Sequence, residues 1–335
     1  MGFKLSICIP TLNRGRYIGQ TLESIVAQAD ANVEVVIVDG GSTDNTEGVV
    51  RRFQAQLRSI RYIKRNISNS KASNEGFDRD CNYAVEQATG DYCWIMTDDD
   101  LLEPGAVRVI LAEIEKRQFG LIVVSVSVRD RELSEVLVEK RPEFLADKIY
   151  TRDDWQIFAV DSCNHLSFVG AVIIKRDVWL SREREKYFGS GYIHVGTIFE
   201  KPMDDPVLLI AAPLVVIRFG NAQWTGRAFK INMFDWPRLV WSFGTLSAPT
   251  KLAIVAREPW RRLKTLLVQR IYGAYSVEEY RTLLRPLLRR RIGRLAAVTI
   301  AKIPRRVLLA TAICYVRLAK KDNNFLLTIL RYSKP

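Results

Sequence analysis

Three short apolar runs early in the chain each stop at residues able to carry chemistry, and this narrows the fold more than any other feature. Residues 5–9 run into Pro10 and deliver Thr11, Asn13 and Arg14 to a loop. Residues 33–38, rich in β-branched side chains, end at Asp39, and residues 92–97 end at Asp98, Asp99 and Asp100. After the first run, Tyr17, Ile18, Leu22, Ile25 and Val26 recur at helical spacing. After the second, Gly40 and Gly41 permit a tight turn, and Ser42 or Thr43 can cap a helix to about Leu57. With a third short strand near residues 61–64, this order predicts an α/β fold with a mostly parallel sheet covered on both faces. Such sheets bind ligands in the crevice at the carboxyl ends of their strands, where Asp39 and Asp98 would both lie.

Three adjacent carboxylates repel one another unless a cation or water offsets them. A divalent metal answers that need, because hard oxygen ligands suit Mg²⁺ or Mn²⁺ and both ions link carboxylates to phosphates. The other reading is a solvated turn in which Asp100 caps the next helix. The shared crevice with Asp39 favours the metal.

Between these elements, residues 66–76 are polar and loop-like. Residues 77–89 read as a helix with Phe77, Cys81, Ala84, Val85 and Ala88 inward and Asp78, Arg79 and Asn82 on a polar flank; Gly90 then stops it. Pro104 opens a helix to about Arg117, and residues 119–128 are a Val-rich strand. Neither GxxxxGK[ST] nor GxGxxG occurs, so phosphates would be held by metal and basic side chains.

The net charge of +13 is unevenly placed. Residues 251–335 hold 20 Lys and Arg against 4 Asp and Glu, and the first 250 residues carry −3. Basicity belongs to the tail. The five cysteines show neither zinc spacing nor a disulfide framework and read as buried thiols of a reducing compartment. No signal pattern opens the chain, and the apolar stretch 307–316 is about half of the ~20 residues a spanning helix needs. A cytoplasmic protein without a transmembrane segment is expected.

Four motifs now converge. Residues 6–14 (SICIPTLNR), 36–44 (VIVDGGSTD), 88–92 (ATGDY) and Asp98-Asp99-Asp100 resemble the ordered signature of family 2 glycosyltransferases with the GT-A fold, over roughly residues 3–245. The resemblance implies a Rossmann-like, mostly parallel sheet flanked by helices, with a nucleotide-sugar half of about 1–128 and an acceptor half of about 129–245. It implies that Thr11 and Asp39 contact the base and ribose, and that Pro10, Asn13, Arg14, Arg79, Asn82, Asp98 and Asp99 help bind the nucleotide sugar. Asp98 and Asp100 match the DxD pair that holds Mg²⁺ or Mn²⁺ against the diphosphate. The layout is most similar to bacterial transferases that add deoxy- or dideoxyhexoses such as abequose to lipid-linked O-antigen units.

Many relatives carry a Glu-Asp pair as base in the region that here reads FGSGYIHV, residues 188–195. No such pair is present; His194 is the nearest titratable side chain, a candidate base, metal ligand or acceptor contact. Asp205, beside Asp204 between two prolines, is an alternative base or simply a turn, and His165 is a weaker candidate. Residues 151–160 read as a capped helix, 166–174 as a strand, and 208–217 as a strand with a bulge or edge at Pro213. Arg218, Asn221, Trp224 and Arg227 form a polar-aromatic cluster for an acceptor sugar or the departing diphosphate, with core packing the other role for Trp224.

From residue 246 onward a basic amphipathic helical region is expected. Apolar groups alternate with arginines, as in WRRLK at 260–264, LLRRRI at 287–292 and PRRVLL at 304–309. This is the composition of helices lying on an anionic membrane surface, as a polyprenyl-diphosphate acceptor would require. The alternatives are a helical bundle with a solvated charged face, or nucleic-acid binding, for which no recognisable module is present. The chain thus reads as a peripheral enzyme on the cytoplasmic face of the inner membrane. A second possibility is a catalytically silent protein of the same fold that binds membrane or nucleic acid.

Overall fold

The computed structural model describes residues 4–65, 74–142, 144–221 and 225–319. Strands β1 (Leu5–Thr11), β2 (Val33–Asp39), β3 (Ile60–Lys64) and β4 (Tyr92–Ile95) alternate with helices α1 (Ile18–Val26), α2 (Thr46–Gln54) and α3 (Asn74–Gln87). Next come β5 (Leu101–Leu102), α4 (Ala106–Lys116), β6 (Leu121–Arg129), β7 (Val136–Arg141), β8 (Lys148–Tyr150) and α5 (Trp155–Leu166). Strand β9 (Val172–Lys175), α6 (Arg176–Leu180), α7 (Ile193–Phe199) and β10 (Val207–Arg218) complete this part.

The sheet runs β3-β2-β1-β4-β9-β6-β10-β5, with β7 on β6 and β8 on β10. Strands β3, β2, β1 and β4 pair in parallel, β9 is antiparallel to both β4 and β6, and β10 is parallel to β6. Six long-axis strands therefore point one way. Every residue of β1, β2 and β4 is buried, as strands covered on both faces must be. Pro213 sits at register shifts in the β10–β6 pairing, the expected bulge.

Several local expectations are corrected. The strand before the triplet ends at Ile95, and the residues after Asp100 form β5 on β10, so Asp100 caps no helix. Helix α2 begins after Asn45; Asp44 accepts from the Thr46 N–H, while Ser42 and Thr43 bond Asn13 instead. Residues 166–174 divide into the end of α5, a 3-10 turn and a four-residue strand. Asp78 and Asn82 are buried, and Cys314 is exposed while the other four thiols are buried. Most of the loop at 66–76 lies outside the described residues.

The chain divides into two compact units: Met1–Arg218 with Phe243–Thr250, and Phe219–Ser242 with the chain from Lys251 onward. Residues 219–242, expected in the first domain, thus group with the C-terminal helices. In the first unit, Trp155, Phe158, Phe199 and Phe243 form a chain of ring contacts. The second has its own core, with Phe229 stacked on Tyr275 at 4.8 Å and Leu266, Leu284, Ala297 and Ala301 around it. The tail is therefore a packed helical bundle. None of the described helices is long and apolar enough to cross a membrane.

Gly90 does more than stop α3. Its N–H donates to Ser6 Oγ at 2.9 Å, and a Cβ there would meet Ser6 Oγ at 2.6 Å, Ser6 N at 3.0 Å and Leu5 C at 3.1 Å. Buried Glu34 ties the same corner, accepting from Ser6 Oγ and from the Thr89 N–H. Gly90→Ala should destabilise the first unit by about 2 kcal/mol, because the clash is with strand backbone. An unchanged midpoint in urea unfolding would contradict this.

Candidate active site

The carboxyl ends of β1, β2, β4 and β10 meet in one crevice, built from loops stapled to each other. Asn13, at φ 55°, donates its N–H to Ser42 and accepts from the Thr43 N–H at 2.9 Å. Arg14 N donates to Thr46 Oγ1, and Gly15 N to Asp44. Pro10 and Thr11 close β1, opposite Val38 and Asp39 in register, and the Gly40 N–H donates to the Thr11 carbonyl. Asp39 is fully buried. Its Oδ1 accepts from Gly41 and Ser42 N–H at 2.9 and 2.6 Å, and its Oδ2 from the Tyr62 hydroxyl. Burial and the Asp39 carboxylate push the Tyr62 phenol up, so it stays a donor. A Cβ on Gly40 would lie 2.7 Å from Asp80, which pairs with Arg65.

Asp98, Asp99 and Asp100 are 8%, 8% and 3% exposed. Arg14 reaches across from the first loop, its Nε donating to Asp98 at 3.1 Å and its Nη2 to Asp99 at 2.9 Å. Asp100 accepts from Thr97 Oγ1 at 2.5 Å and from the Arg218 N–H at 2.7 Å. The Arg218 guanidinium donates to the carbonyls of Asp99 and Arg131 and to Gln20 Oε1, and lies over the Tyr17 ring at 5.2 Å. Burial, then the Asp99 charge, hold Asp98 and Asp100 well above the usual carboxylate range. Burial thus disfavours the charged forms of Asp98 and Asp100.

Arg218, expected to face an acceptor, instead spends its donors on the frame beneath the triplet. Asn221 belongs to the second compact unit, and Trp224 lies outside the described residues. Arg79 is exposed, its guanidinium 4.6 Å from the Phe188 ring. Asn82 holds the frame as well, accepting from Trp179 Nε1 and Arg184 Nε. Asp205 is a correction. It pairs with Lys175 at 3.1 Å and immediately precedes β10, whose far end carries Arg218. A strand of 12 residues spans roughly 40 Å, so Asp205 stands at the opposite edge of the sheet from the triplet.

His194 is buried on α7. Its Nε2 donates to the Leu166 carbonyl at 2.9 Å, leaving a buried Nδ1 without a hydrogen-bond partner. Asp78, near the start of α3, accepts from the Gly191 and Ile193 N–H groups and so anchors the loop before His194. Both anchors lie at the triplet's end of the sheet: α3 returns from there to the start of β4, and β9, which follows Leu166, begins opposite Ile95. The sequence marks Asp78 only as part of a polar flank; its partners 113 and 115 residues away leave no local signal. The same holds for Arg131, Gln20 and Tyr62.

Residues 6–172 match the family model for glycosyl transferase family 2. The chain belongs to that family. It is 27% identical over 290 residues to the abequosyltransferase RfbV of Salmonella typhimurium, covering 80% of this chain and 84% of that protein. Among solved structures, S. aureus TarS 1-349 in complex with UDP aligns with TM-score 0.59 at 14% identity, covering 99% of this chain and 90% of that one. The mannosyltransferase PcManGT from Pyrobaculum calidifontis, in complex with GDP-Man and Mn²⁺, aligns with TM-score 0.54 at 16% identity, covering 99% and 86%. These likenesses show the GT-A fold.

The two histidines of this glycosyltransferase make its stability sensitive to acid. Burial pulls both His165 and His194 down to about 4, from an ordinary value of 6.5. Between those values the unfolded chain binds protons that the folded chain refuses, so stability falls as pH drops from 6.5 to 4. The loss is up to about 3 kcal/mol per histidine. Asp78, raised to about 7 by burial, acts oppositely, its contribution present at low pH and lost as pH rises through 7. Comparison with a variant isolates the histidine: His165→Asn should flatten the fall in melting temperature between pH 6.5 and 4. Parallel curves for parent and variant would refute this.

Proposed function

We propose that this enzyme moves a deoxy- or dideoxyhexose from a nucleoside-diphosphate donor to a polyprenyl-diphosphate-linked saccharide, in synthesis of O-antigen or another surface polysaccharide. The observation that carries the reading is the buried carboxylate triplet at the strand ends beside Asp39, deficient in positive charge. The Salmonella relative's name supports the sugar class, since the similarity spans most of both chains. The UDP and the GDP-Man with Mn²⁺ in the two neighbours support a diphosphate donor and a divalent cation.

The residues fit Mg²⁺ or Mn²⁺. Among the described residues no three or more acidic, histidine or cysteine side chains form a cage. Two carboxylates with a substrate diphosphate and water are the coordination such ions commonly take. Asp98 and Asp100 would hold the ion, whose chemistry is to neutralise the diphosphate as it leaves. The chain's own residues do the rest. Pro10, Thr11, Asn13 and Asp39 shape the pocket for base and ribose, and Asp99 orients the sugar. An acceptor hydroxyl attacks the donor's anomeric carbon, the bond to the diphosphate oxygen breaks, and a base takes the hydroxyl proton; His194, whose Nδ1 is unpartnered, is the candidate, and its buried ring would have to be uncovered for the hydroxyl to reach it. Burial keeps His194 neutral at physiological pH, the state a base requires.

Asp98→Asn and Asp100→Asn should each reduce transfer by about 100-fold or more while leaving the melt cooperative. The assay is transfer from a panel of CDP-, dTDP-, UDP- and GDP-sugars to a membrane extract. His194→Gln should lower kcat with donor affinity unchanged, and Asp205→Asn should change neither kcat nor donor affinity. Full activity in either triplet variant would sink the cation role.

The acceptor reading also places the enzyme as a peripheral protein on the cytoplasmic membrane face. Support comes from the helix Arg291–Lys302, which buries Ala297 and Ala301 but leaves Ile292 83% and Leu295 66% exposed beside exposed Arg289, Arg290, Arg291 and Arg294. Apolar side chains amid arginines suit an interface of anionic headgroups. Ile292→Glu with Leu295→Glu should abolish sedimentation with phosphatidylglycerol vesicles without changing the melt. Retained sedimentation would reject this face.

A further inference from the structure

The further inference concerns Arg14 and rests on the donor and cation reading above. One guanidinium bridges Asp98 and Asp99, the first of which is also a proposed cation ligand. All three side chains of that bridge are nearly buried, with 12% of the Arg14 side-chain surface and 11% of each aspartate's exposed. The loop bearing Arg14 is held by Thr46, Asp44, Ser42 and Thr43, so the guanidinium is aimed at the triplet by a fixed backbone. Arg218 is different in kind. Its side chain is committed to two backbone carbonyls and Gln20, partners that carry no net charge and are not among the proposed cation ligands.

We propose that Arg14 is an exchangeable counter-ion: it neutralises Asp98 and Asp99 before substrate arrives, then turns to the donor's diphosphate when a divalent cation takes Asp98 and Asp100. The charge count supports the exchange. A cation arriving alone finds Asp98 already paired and is repelled by the guanidinium that pairs it. Arriving with a diphosphate, it brings the anion to which a planar fork binds well. Arg14 therefore couples cation to nucleotide and discourages a loaded metal site without donor.

The test is Mn²⁺ binding by titration calorimetry, alone and with CDP, dTDP, UDP or GDP, which needs no turnover. In the parent protein a matching nucleotide should tighten Mn²⁺ binding about tenfold or more, a typical size for coupled sites. In Arg14→Gln, Mn²⁺ alone should bind about tenfold tighter and gain less from nucleotide. Arg14→Lys keeps the charge and should stay near the parent for Mn²⁺ alone. Equal Mn²⁺ affinity in parent and Arg14→Gln, with both responding to nucleotide, would overturn the exchange while leaving the donor site intact. A Lys variant that behaves as the Gln variant would also overturn it. If no form binds Mn²⁺ with any nucleotide, the proposed site itself fails, and the exchange with it.

Discussion

The structure is organised around the problem of burying three adjacent carboxylates. Like charges at about 4 Å repel by about 4 kcal/mol even at an effective dielectric of 20, so the triplet cannot stand without donors arranged in advance. Those donors arrive from widely separated parts of the chain. Arg14 comes from the loop after β1, and Arg218 from the last residue of β10. Because Arg218 also holds the Asp99 and Arg131 carbonyls and packs on Tyr17, the triplet depends on the whole edge of the sheet being assembled. The stapling of Asn13, Arg14 and Gly15 to residues 42–46 follows from the same need: a counter-charge is useful only if its backbone is fixed.

Much of that edge was legible before any coordinates. Strand runs and their acidic ends are local patterns, and the period of two or of 3.6 marks them without reference to partners. The Pro213 bulge was legible for the same reason, since a proline cannot donate to a ladder. What could not be read is which polar side chain meets which. Asp78 and Asn82 look like a solvated helix flank, yet each is buried because Gly191, Ile193, Trp179 and Arg184 arrive from about a hundred residues away. Arg218 misleads in the opposite sense. Read with Asn221 and Trp224 it suggests a sugar platform, but its own partners make it part of the triplet's frame. Asp205 fails for a geometric reason, since sequence spacing does not say which edge of a long strand a residue faces.

The C-terminal chain shows how composition can bear two readings at once. Arginine-rich amphipathic segments suit a bilayer interface and suit a packed bundle equally well. The bundle is real: Phe229, Tyr275 and Leu284 are buried, Ser276 and Glu279 form a capping box, and Tyr275 donates to the Ala297 carbonyl. Packing nevertheless uses only one face of the helix Arg291–Lys302. Ile292 and Leu295 stay in the open beside exposed arginines, and the proposed membrane contact rests on that face.

A histidine rather than a carboxylate as base would alter the electrostatics of the proposed reaction. A fourth acidic group near Asp98, Asp99 and Asp100 would deepen a deficit that already lifts two of them above the usual carboxylate range. A neutral imidazole adds no charge before the proton moves, and the imidazolium it becomes is positive as the diphosphate gains negative charge. The Leu166 carbonyl fixes the tautomer by holding the proton on Nε2, which leaves the buried Nδ1 as the unprotonated nitrogen. Burial keeps the ring neutral down to about pH 4, and a proton taken up there in the proposed reaction would need an opposite charge to offset it.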